Sequence, residues 1–203
     1  MEIKRKQPLG IELVRRGVVT GDAIERALEY QTEHPNKRLG DILYILKEAD
    51  ADRLAIEIGD IIGAKGIYLT DSKINIEPTE YLPLDMMKNY KAIPFEIESG
   101  KIKIAFADIA NNKDNIKSVK MLVLNKGLVM EPYIAFETNI DEYFKKFEEV
   151  STAVMENLEE TESVTDLVDS IIKLAIEKRA SDIHIEPQLD SVRVRFRIDG
   201  QLF

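Results

Sequence analysis

The sequence predicts an α+β protein: a pair of helical hairpins, then a small α/β domain, then a helix followed by strands. Three observations lead to this fold class. A thirty-residue repeat occupies the first sixty residues, two segments with period-two alternation flank Ser99-Gly100, and a strongly periodic helical segment precedes two further alternating segments. The domains predicted from these patterns are 1–62, 63–150 and 163–203, with a linker over 151–162.

The repeat relates residues 8–31 to residues 38–61. Leu9-Gly10 matches Leu39-Gly40, and further matches are Leu13 with Leu43, Asp22 with Asp52, Ile24 with Leu54, and Leu28 with Ile58. Each copy has a short apolar segment, a turn, and a polar capping position before a second amphipathic segment. The i, i+4 spacing of Ile24 and Leu28, with Leu13 nearby, predicts one buried face per copy. Two copies are too few for a solenoid, so we expect two helical hairpins.

The composition from residue 65 to residue 150 favours a mixed unit. A weakly extended segment comes first, and a short helix with Leu84, Met87 and Tyr90 on one side follows it. A hairpin around Ser99-Gly100 comes next. We then expect a helix that stops at Gly127, a strand that Pro132 places at an edge or a bulge, and a final helix. The final helix turns inward the apolar residues Ile140, Tyr143, Phe144 and Phe147.

Residues 151–163 are acidic and rich in Ser and Thr, which predicts a solvated linker. A helix over residues 163–180 and two strands then begin a new domain, which we expect to be incomplete at Phe203. Within the first of these strands, Asp182, His184 and Glu186 alternate with Ile183 and Ile185, which we expect to turn toward the core. Because two-residue spacing offers no fourth ligand nearby, a polar exterior is favoured over a metal site, and no metal is expected.

Charge and composition exclude several classes of function. The 203 residues carry a formal net charge of −9, which argues against a general nucleic-acid binder. Most of the excess lies in residues 141–170, with two basic and ten acidic side chains, whereas residues 1–50 hold nine of each. A small anionic ligand therefore remains possible near the N-terminus. The absence of Cys excludes disulfides and thiol chemistry, and no signal peptide or membrane-spanning run is evident, which predicts a cytoplasmic protein.

Residues 180–187 read ASDIHIEP, and residues 192–200 read VRVRFRIDG. These two stretches resemble the start of the N2 domain in the PilB/GspE family of secretion ATPases, which drive type IV pilus assembly and type II secretion. Residues 65–150 look like the small α/β domain that precedes N2. Residues 8–61 are similar to the tandem 24-residue motif of the MshEN domain, which binds cyclic di-GMP in some of these ATPases.

The resemblance implies a cyclic di-GMP site built from both copies of the motif. The residues it indicates in the first copy are Leu9, Gly10, Leu13, Ile24, Leu28 and Gln31, with Arg5 just upstream. Those in the second copy are Arg38, Leu39, Gly40, Asp41, Leu43, Leu54 and Ile58. Arginine can stack on a guanine and bond its Hoogsteen edge, and glycine lets the backbone approach a ligand. The same residues could equally be the ordinary core and turn residues of helical hairpins.

The sequence departs from the family pattern in two places that affect the site. The first copy has Pro8 where the motif has Arg, and the second ends at Ile61 rather than Gln. In addition, no GxxxxGK[ST] phosphate loop occurs, so this chain has no predicted catalytic residues and should not hydrolyse ATP alone. ATP and Mg²⁺ would belong to a C-terminal domain of a homohexameric parent.

Arg193, Arg195 and Arg197 form a basic stripe on the last long strand. The resemblance places Arg195 and Arg197 near ATP in the parent enzyme, while a solvated strand face explains the stripe equally well. The sequence is therefore consistent with two functions. One is a cyclic di-GMP receptor that regulates a pilus ATPase. The other is a module that docks on proteins of the inner-membrane pilus or secretion platform without binding nucleotide.

Overall fold

The computed structural model describes residues 8–146, 163–187, 192–198 and 200–202. These residues form three units, each around its own apolar cluster. The first is a pair of helical hairpins with four helices in all, which we call the helical pair. The second is an α/β unit, and the third is a C-terminal unit. The segment predicted as a linker, and Phe147 of the predicted inward face, lie outside the described residues. No helix within the described ranges is long and apolar enough to cross a membrane.

The helical pair contains α1 (Leu9–Arg15), α2 (Gly21–Glu33), α3 (Leu39–Ile45) and α4 (Ala51–Ile62). Both long helices begin where the sequence predicts. The Thr20 side chain accepts a hydrogen bond from the Ala23 amide, and the Asp50 side chain accepts one from the Arg53 amide. These caps satisfy N–H groups that the first helical turn leaves unpaired.

The two copies of the repeat are related in backbone detail as well as in sequence. Helices α1 and α3 begin thirty residues apart, as do α2 and α4. The turn after each short helix passes through the left-handed region at equivalent positions, with φ of 64° at Gly17 and 55° at Lys47. The Val18 amide donates to the Leu13 carbonyl, as the Glu48 amide donates to that of Leu43, both at 3.0 Å. The repeat is therefore a structural duplication of one hairpin.

The buried face of α2 differs from the prediction. Ala23 and Ala27 are buried, Ile24 is half-buried, and Leu28 is 49% exposed. The small alanine side chains let α2 pack closely on its neighbours. The larger side chains of Ile24 and Leu28 therefore lie toward the edge of the interface. Leu13, Leu43 and Leu54 are fully buried, as expected for the core of the pair.

The α/β unit is a four-stranded sheet in the order β1-β4-β3-β2, with helices around it. Its strands are β1 (Lys65–Gly66), β2 (Ala92–Glu98), β3 (Lys101–Phe106) and β4 (Val129–Ile134). Its helices are α5 (Leu84–Tyr90), α6 (Lys113–Asn125) and α7, which begins at residue 137 and is described to residue 146. Single 3₁₀ turns occur at Asp71–Lys73 and Pro78–Glu80.

The predicted hairpin and strand edge are both present. Strands β2 and β3 pair antiparallel through a turn whose residues Ser99 and Gly100 have φ of 50° and 75°. Strand β4 runs parallel to β3 and to the two-residue β1, which contacts only the end of β4 at Tyr133 and Ile134. Pro132 therefore lies on a stretch of β4 that β1 does not cover, which tolerates its missing N–H.

The C-terminal unit has α8 (Val164–Glu177) packed on a three-stranded antiparallel sheet. Its strands are β5 (Asp182–Pro187), β6 (Val192–Ile198) and β7 (Gln201–Leu202). Ile171, Leu174 and Phe196 are buried between the helix and the sheet, but Ile185, predicted to face the core, is 58% exposed. Ile185 lies toward the hairpin end of β5, beyond the part of the sheet at which the apolar cluster forms.

Candidate functional site

A cavity of about 220 Å³ lies where the helical pair meets the α/β unit. The helical pair lines it with Leu9, Arg38, Gly40, Asp41, Ala55, Ile58 and Ile62. The α/β unit lines it with Ala107, Asp108, Ile109, Ala110 and Asn111, which follow β3, and with Ile134, Ala135 and Phe136 at the end of β4. The cavity is thus composite, and neither unit forms it alone.

Three contacts hold the units together beside the cavity. Phe136, from the segment after β4, is buried in the core of the helical pair and stacks on Tyr44, with ring centroids 4.8 Å apart. The Tyr44 hydroxyl also donates to Glu142 of α7 at 2.9 Å. On the other side, α4 meets β1 so closely that Gly59 and Gly66 allow direct backbone contact. The cavity walls are therefore fixed by packing on both flanks.

Arg38, the residue just before α3, stands among three carboxylates. Its guanidinium nitrogens lie 3.3 Å from Asp41, 3.9 Å from Asp108 and 3.6 Å from Glu137. Asp108 and Glu137 belong to the α/β unit, so Arg38 bridges the two units electrostatically. Its side chain is 40% exposed and can be reached from solvent.

Asp41 and Asp108 have different roles around this arginine. Asp41 is buried, and its Oδ1 accepts a hydrogen bond from the Thr138 amide in the first turn of α7. Asp41 therefore holds Arg38 in position and also stabilises the junction between the helical pair and α7. Burial alone would raise the pKa of Asp108, but hydrogen bonds from Asn111 and the nearby Arg38 charge outweigh it and lower the pKa. Asp108 is consequently a carboxylate held ionised at the cavity wall.

The repeat glycines act in helix packing rather than at an open backbone. A Cβ on Gly10 would lie 3.3 Å from the Leu39 side chain, and a Cβ on Gly40 would lie 2.8 Å from Cδ1 of Ile58. Both glycines therefore let a short helix approach its neighbours. Gly40 also lines the cavity, so its lack of a side chain leaves space beside Ile58.

The structure brings together only some of the residues indicated by the repeat. Leu9, Arg38, Gly40, Asp41 and Ile58 line the cavity. Three others, Leu13, Leu43 and Leu54, have no exposed surface and are core residues that a ligand cannot reach. Gly10, Ile24 and Leu39 pack against one another away from it.

Leu28 and Gln31 lie away from the cavity. Leu28 is on the outer side of α2. The Gln31 side chain donates to the Lys37 carbonyl at 2.7 Å, so it holds the loop that carries Arg38 instead of facing the cavity. Arg5 lies outside the described residues.

The walls from the α/β unit were missed because they are distant in sequence from the repeat. Residues 107–111 follow β3, and residues 134–136 lie at and just after the end of β4; the two strands are parallel neighbours. Ligands commonly bind beyond the carboxyl ends of parallel strands. Asp108, a polar residue two positions after the end of a buried strand, is the signal by which the sequence could have indicated this wall.

Two of the three arginines of β6, Arg195 and Arg197, are paired with carboxylates, and the buried position of Arg195 differs from a solvated strand face. Arg197 bonds to Asp182 across the β5–β6 ladder at 3.0 Å. Arg195 is only 9% exposed and contacts Glu186 of β5 and Glu77 of the α/β unit. The described residues contain no group of three or more His, Cys, Asp or Glu residues placed to hold a metal ion.

Two family models match the chain in succession. The MshEN domain matches residues 63–154, which include the cavity walls from β3 and β4, and the Type II/IV secretion system protein family matches residues 157–203. The chain is 26% identical to the type IV pilus assembly ATPase PilB of Myxococcus xanthus, with 96% of this chain and 38% of that protein covered. It is 28% identical to the PilB of Thermus thermophilus, with 98% and 28% covered.

A third relative is the type II secretion system protein E of Xanthomonas campestris, 26% identical, with 68% of this chain and 28% of that protein covered. The chain thus spans less than two fifths of the length of these relatives.

Two solved structures are also similar. One is MshE with cdg (TM-score 0.44, 22% identity, 69% of this chain and 98% of that chain covered). The other is the N-terminal domain of XpsE (TM-score 0.42, 19% identity, 70% and 95% covered). By the matched family models and relatives, the chain is similar to the N-terminal part of the pilus and secretion ATPases, with a match to the MshEN domain followed by a match to the Type II/IV secretion system protein family.

Proposed function

We propose that this chain is the regulatory N-terminal part of a type IV pilus assembly ATPase and that it binds cyclic di-GMP in the composite cavity. The observation that carries the proposal is the position of Arg38, which stands opposite Asp108 at the edge of an apolar slot between two structural units. The MshEN match, which covers the cavity walls from the α/β unit but not the repeat, and the tandem motif of residues 8–61 support the same ligand.

The composite cavity suits a flat aromatic ring. Apolar side chains supply most of its walls, namely those of Leu9, Ile58, Ile62, Ile109, Ile134 and Phe136. Ligand sites of this kind combine apolar walls with a small number of polar groups that fix orientation. A purine base buried here would gain the contact area, and the polar groups at the rim would select which purine enters.

The rim groups match the edges of guanine. Guanine presents O6 and N7 acceptors on one edge, which an arginine contacts with two hydrogen bonds, and it presents N–H donors on the Watson–Crick edge. Arg38 supplies the donors, and the ionised Asp108 supplies an acceptor 3.9 Å away. Adenine has an amino donor where guanine has O6, so it would place a donor against the guanidinium. The pair therefore favours guanine.

The size of the cavity determines how a dinucleotide would sit. Sites that enclose drug-sized ligands span about 300–1,000 Å³. The cavity, at about 220 Å³, therefore accepts one base and leaves the riboses, the phosphates and the second base at its mouth. Arg38, which is partly exposed there, can reach either the inserted base or a phosphate.

Arg38 can exchange its carboxylate partners for an anionic or hydrogen-bonding ligand. In the unliganded chain its charge is shared among Asp41, Asp108 and Glu137. A ligand that takes the guanidinium loosens its contacts with Asp108 and Glu137, both of which belong to the α/β unit. Because Arg38 bridges the two units, ligand capture would change how firmly the helical pair holds the α/β unit. This gives a physical route from occupancy to the rest of the protein.

The proposal extends to the full-length protein by analogy with its relatives. We expect a cytoplasmic, homohexameric, ATP-hydrolysing motor that associates with inner-membrane pilus or secretion platform proteins. ATP and Mg²⁺ would bind in a part of the protein beyond this sequence, and Arg195 and Arg197 would approach that nucleotide only after leaving their present carboxylate partners.

A steric block tests the site directly. Ala110 is exposed and lines the cavity, so Ala110→Leu should leave the fold intact while it fills the entrance. We expect cyclic di-GMP at about a hundredfold over its Kd to stabilise the wild-type chain by about 2.7 kcal/mol, or about 5–10 °C in Tm. Ala110→Leu should abolish that shift. An equal shift in the variant would mean that the ligand binds elsewhere.

A docking module remains the second candidate because the helical pair exposes large apolar side chains. Ile11 on α1, Leu28 on α2 and Ile56 on α4 are each about half exposed. The same thermal measurement separates the two functions, since a docking module would show no stabilisation by cyclic di-GMP and none by GTP or cyclic di-AMP.

A further inference from the structure

A buried charge pair connects the α/β unit to the C-terminal unit. Arg195 of β6 and Glu77, at the start of the 3₁₀ turn Pro78–Glu80, approach to 3.3 Å between Nη1 and Oε2. The two side chains are only 11% and 9% exposed. Within each unit, Arg195 also contacts Glu186 across the β5–β6 ladder, and the other Glu77 oxygen accepts from the Thr79 hydroxyl at 2.6 Å.

The pair is incompletely hydrogen-bonded. Oε2 of Glu77 and both Nε and Nη1 of Arg195 make no hydrogen bond within the part of the chain that the structure describes. Burying two charges carries a large desolvation cost, which their attraction offsets only when the hydrogen bonds are well made. The contact is therefore attractive but not strongly favourable overall, and modest changes can shift it.

Among the described residues, no shared apolar cluster joins the two units. The α/β unit and the C-terminal unit have separate apolar clusters in the described residues. Between them lies a cavity of about 630 Å³ with both polar and apolar walls, lined on one side by residues that include Asp71, Ile74 and Glu80 and on the other by His184, Arg197 and Gly200. The mutual orientation of the units therefore depends heavily on the Glu77–Arg195 contact.

We propose that Glu77 and Arg195 form an electrostatic latch that holds the C-terminal unit against the α/β unit and opens when either charge is lost or captured. In the closed state Glu77 is paired with Arg195 of β6. In the open state that arginine is free for another anionic group. The latch lies at the Pro78–Glu80 turn and not at the Arg38 cavity, so its operation does not depend on cyclic di-GMP.

The test measures the separation of the two units in the full 203-residue chain. Because the sequence has no native cysteine, spin labels can be attached through Lys120→Cys on α6 and Lys173→Cys on α8, both at exposed positions. Double electron–electron resonance then gives the distance distribution. We expect one dominant distance for the parent chain. Glu77→Gln should lower the ratio of closed to open populations at least tenfold, which corresponds to about 1.4 kcal/mol.

Glu80→Gln is the matched control, because it removes the same charge three residues away at an exposed position. It should retain the parent distribution. Arg195→Gln should open the latch from the other side, and combining it with Glu77→Gln should add little, since the interaction is already lost. An unchanged distribution in Glu77→Gln, or equal broadening in Glu80→Gln, would overturn the proposal. Circular dichroism on each variant confirms that the units remain folded.

Discussion

The close contact between α4 and β1 predicts that replacing Gly59 by alanine lowers the free energy of unfolding. Gly59 lies inside α4, where replacing glycine by alanine normally stabilises a helix by about 1 kcal/mol. Here a Cβ would lie 2.8 Å from the Cα of Gly66 and 2.9 Å from the carbonyl carbon of Lys65. These are backbone atoms, which cannot rotate away as a side chain can. Overpacking costs about 1–3 kcal/mol when side chains can adjust, so we take about 3 kcal/mol here.

The net expectation for Gly59→Ala is therefore a loss of about 2 kcal/mol, the difference between the clash and the gain in helix propensity. Urea unfolding followed by circular dichroism measures it. Gly21→Ala is the control: it lies in the first turn of α2, and a Cβ there would meet no atom within 4 Å. It should leave stability within about 0.5 kcal/mol of the parent chain. If Gly59→Ala were as stable as the parent chain, the close packing of α4 on β1 would be refuted.

Three further predictions concern the repeat, the α/β unit and the site. Lys47→Gly should raise the free energy of unfolding by about 1 kcal/mol, because Lys47 has φ of 55° where the first repeat has glycine; an unchanged urea midpoint would contradict this. Asn139→Ala should lower it by about 2–3 kcal/mol, since the buried amide bonds both the N–H and the C=O of Leu69; a midpoint shift below about 0.5 kcal/mol would argue against that role. Glu137→Gln should tighten cyclic di-GMP binding several-fold in calorimetry by releasing Arg38, and weaker binding would contradict the exchange model.

Much of the fold could be predicted because its signals are local. The thirty-residue repeat specified two equivalent hairpins, and the polar caps Thr20 and Asp50 specified where their long helices begin. The hairpin at Ser99-Gly100 followed from alternation on both sides of a turn. In each case the interactions that determine the element join residues close in sequence, so the pattern and the structure agree.

The site was harder to predict, because its walls come from parts of the chain far apart in sequence. The repeat indicated Arg38 and Asp41 as site residues, but Asp108 joins them only when the sheet packs on α3 and α4. The repeated leucines satisfy a core pattern and a ligand-floor pattern equally well. Only the burial of Leu13 and Leu43 assigns them to the core.

Calorimetric titration of the chain with cyclic di-GMP tests the central claim most directly. We predict saturable binding that Arg38→Ala weakens at least about tenfold, as expected for an arginine contact to guanine worth about 1–3 kcal/mol. Arg26→Ala, which removes the same side chain from an exposed ion pair with Glu48, should leave the affinity unchanged. No saturable heat at ligand concentrations up to about 1 mM, or equal affinities for Arg38→Ala and the parent chain, would contradict the assignment of the composite cavity as a cyclic di-GMP site.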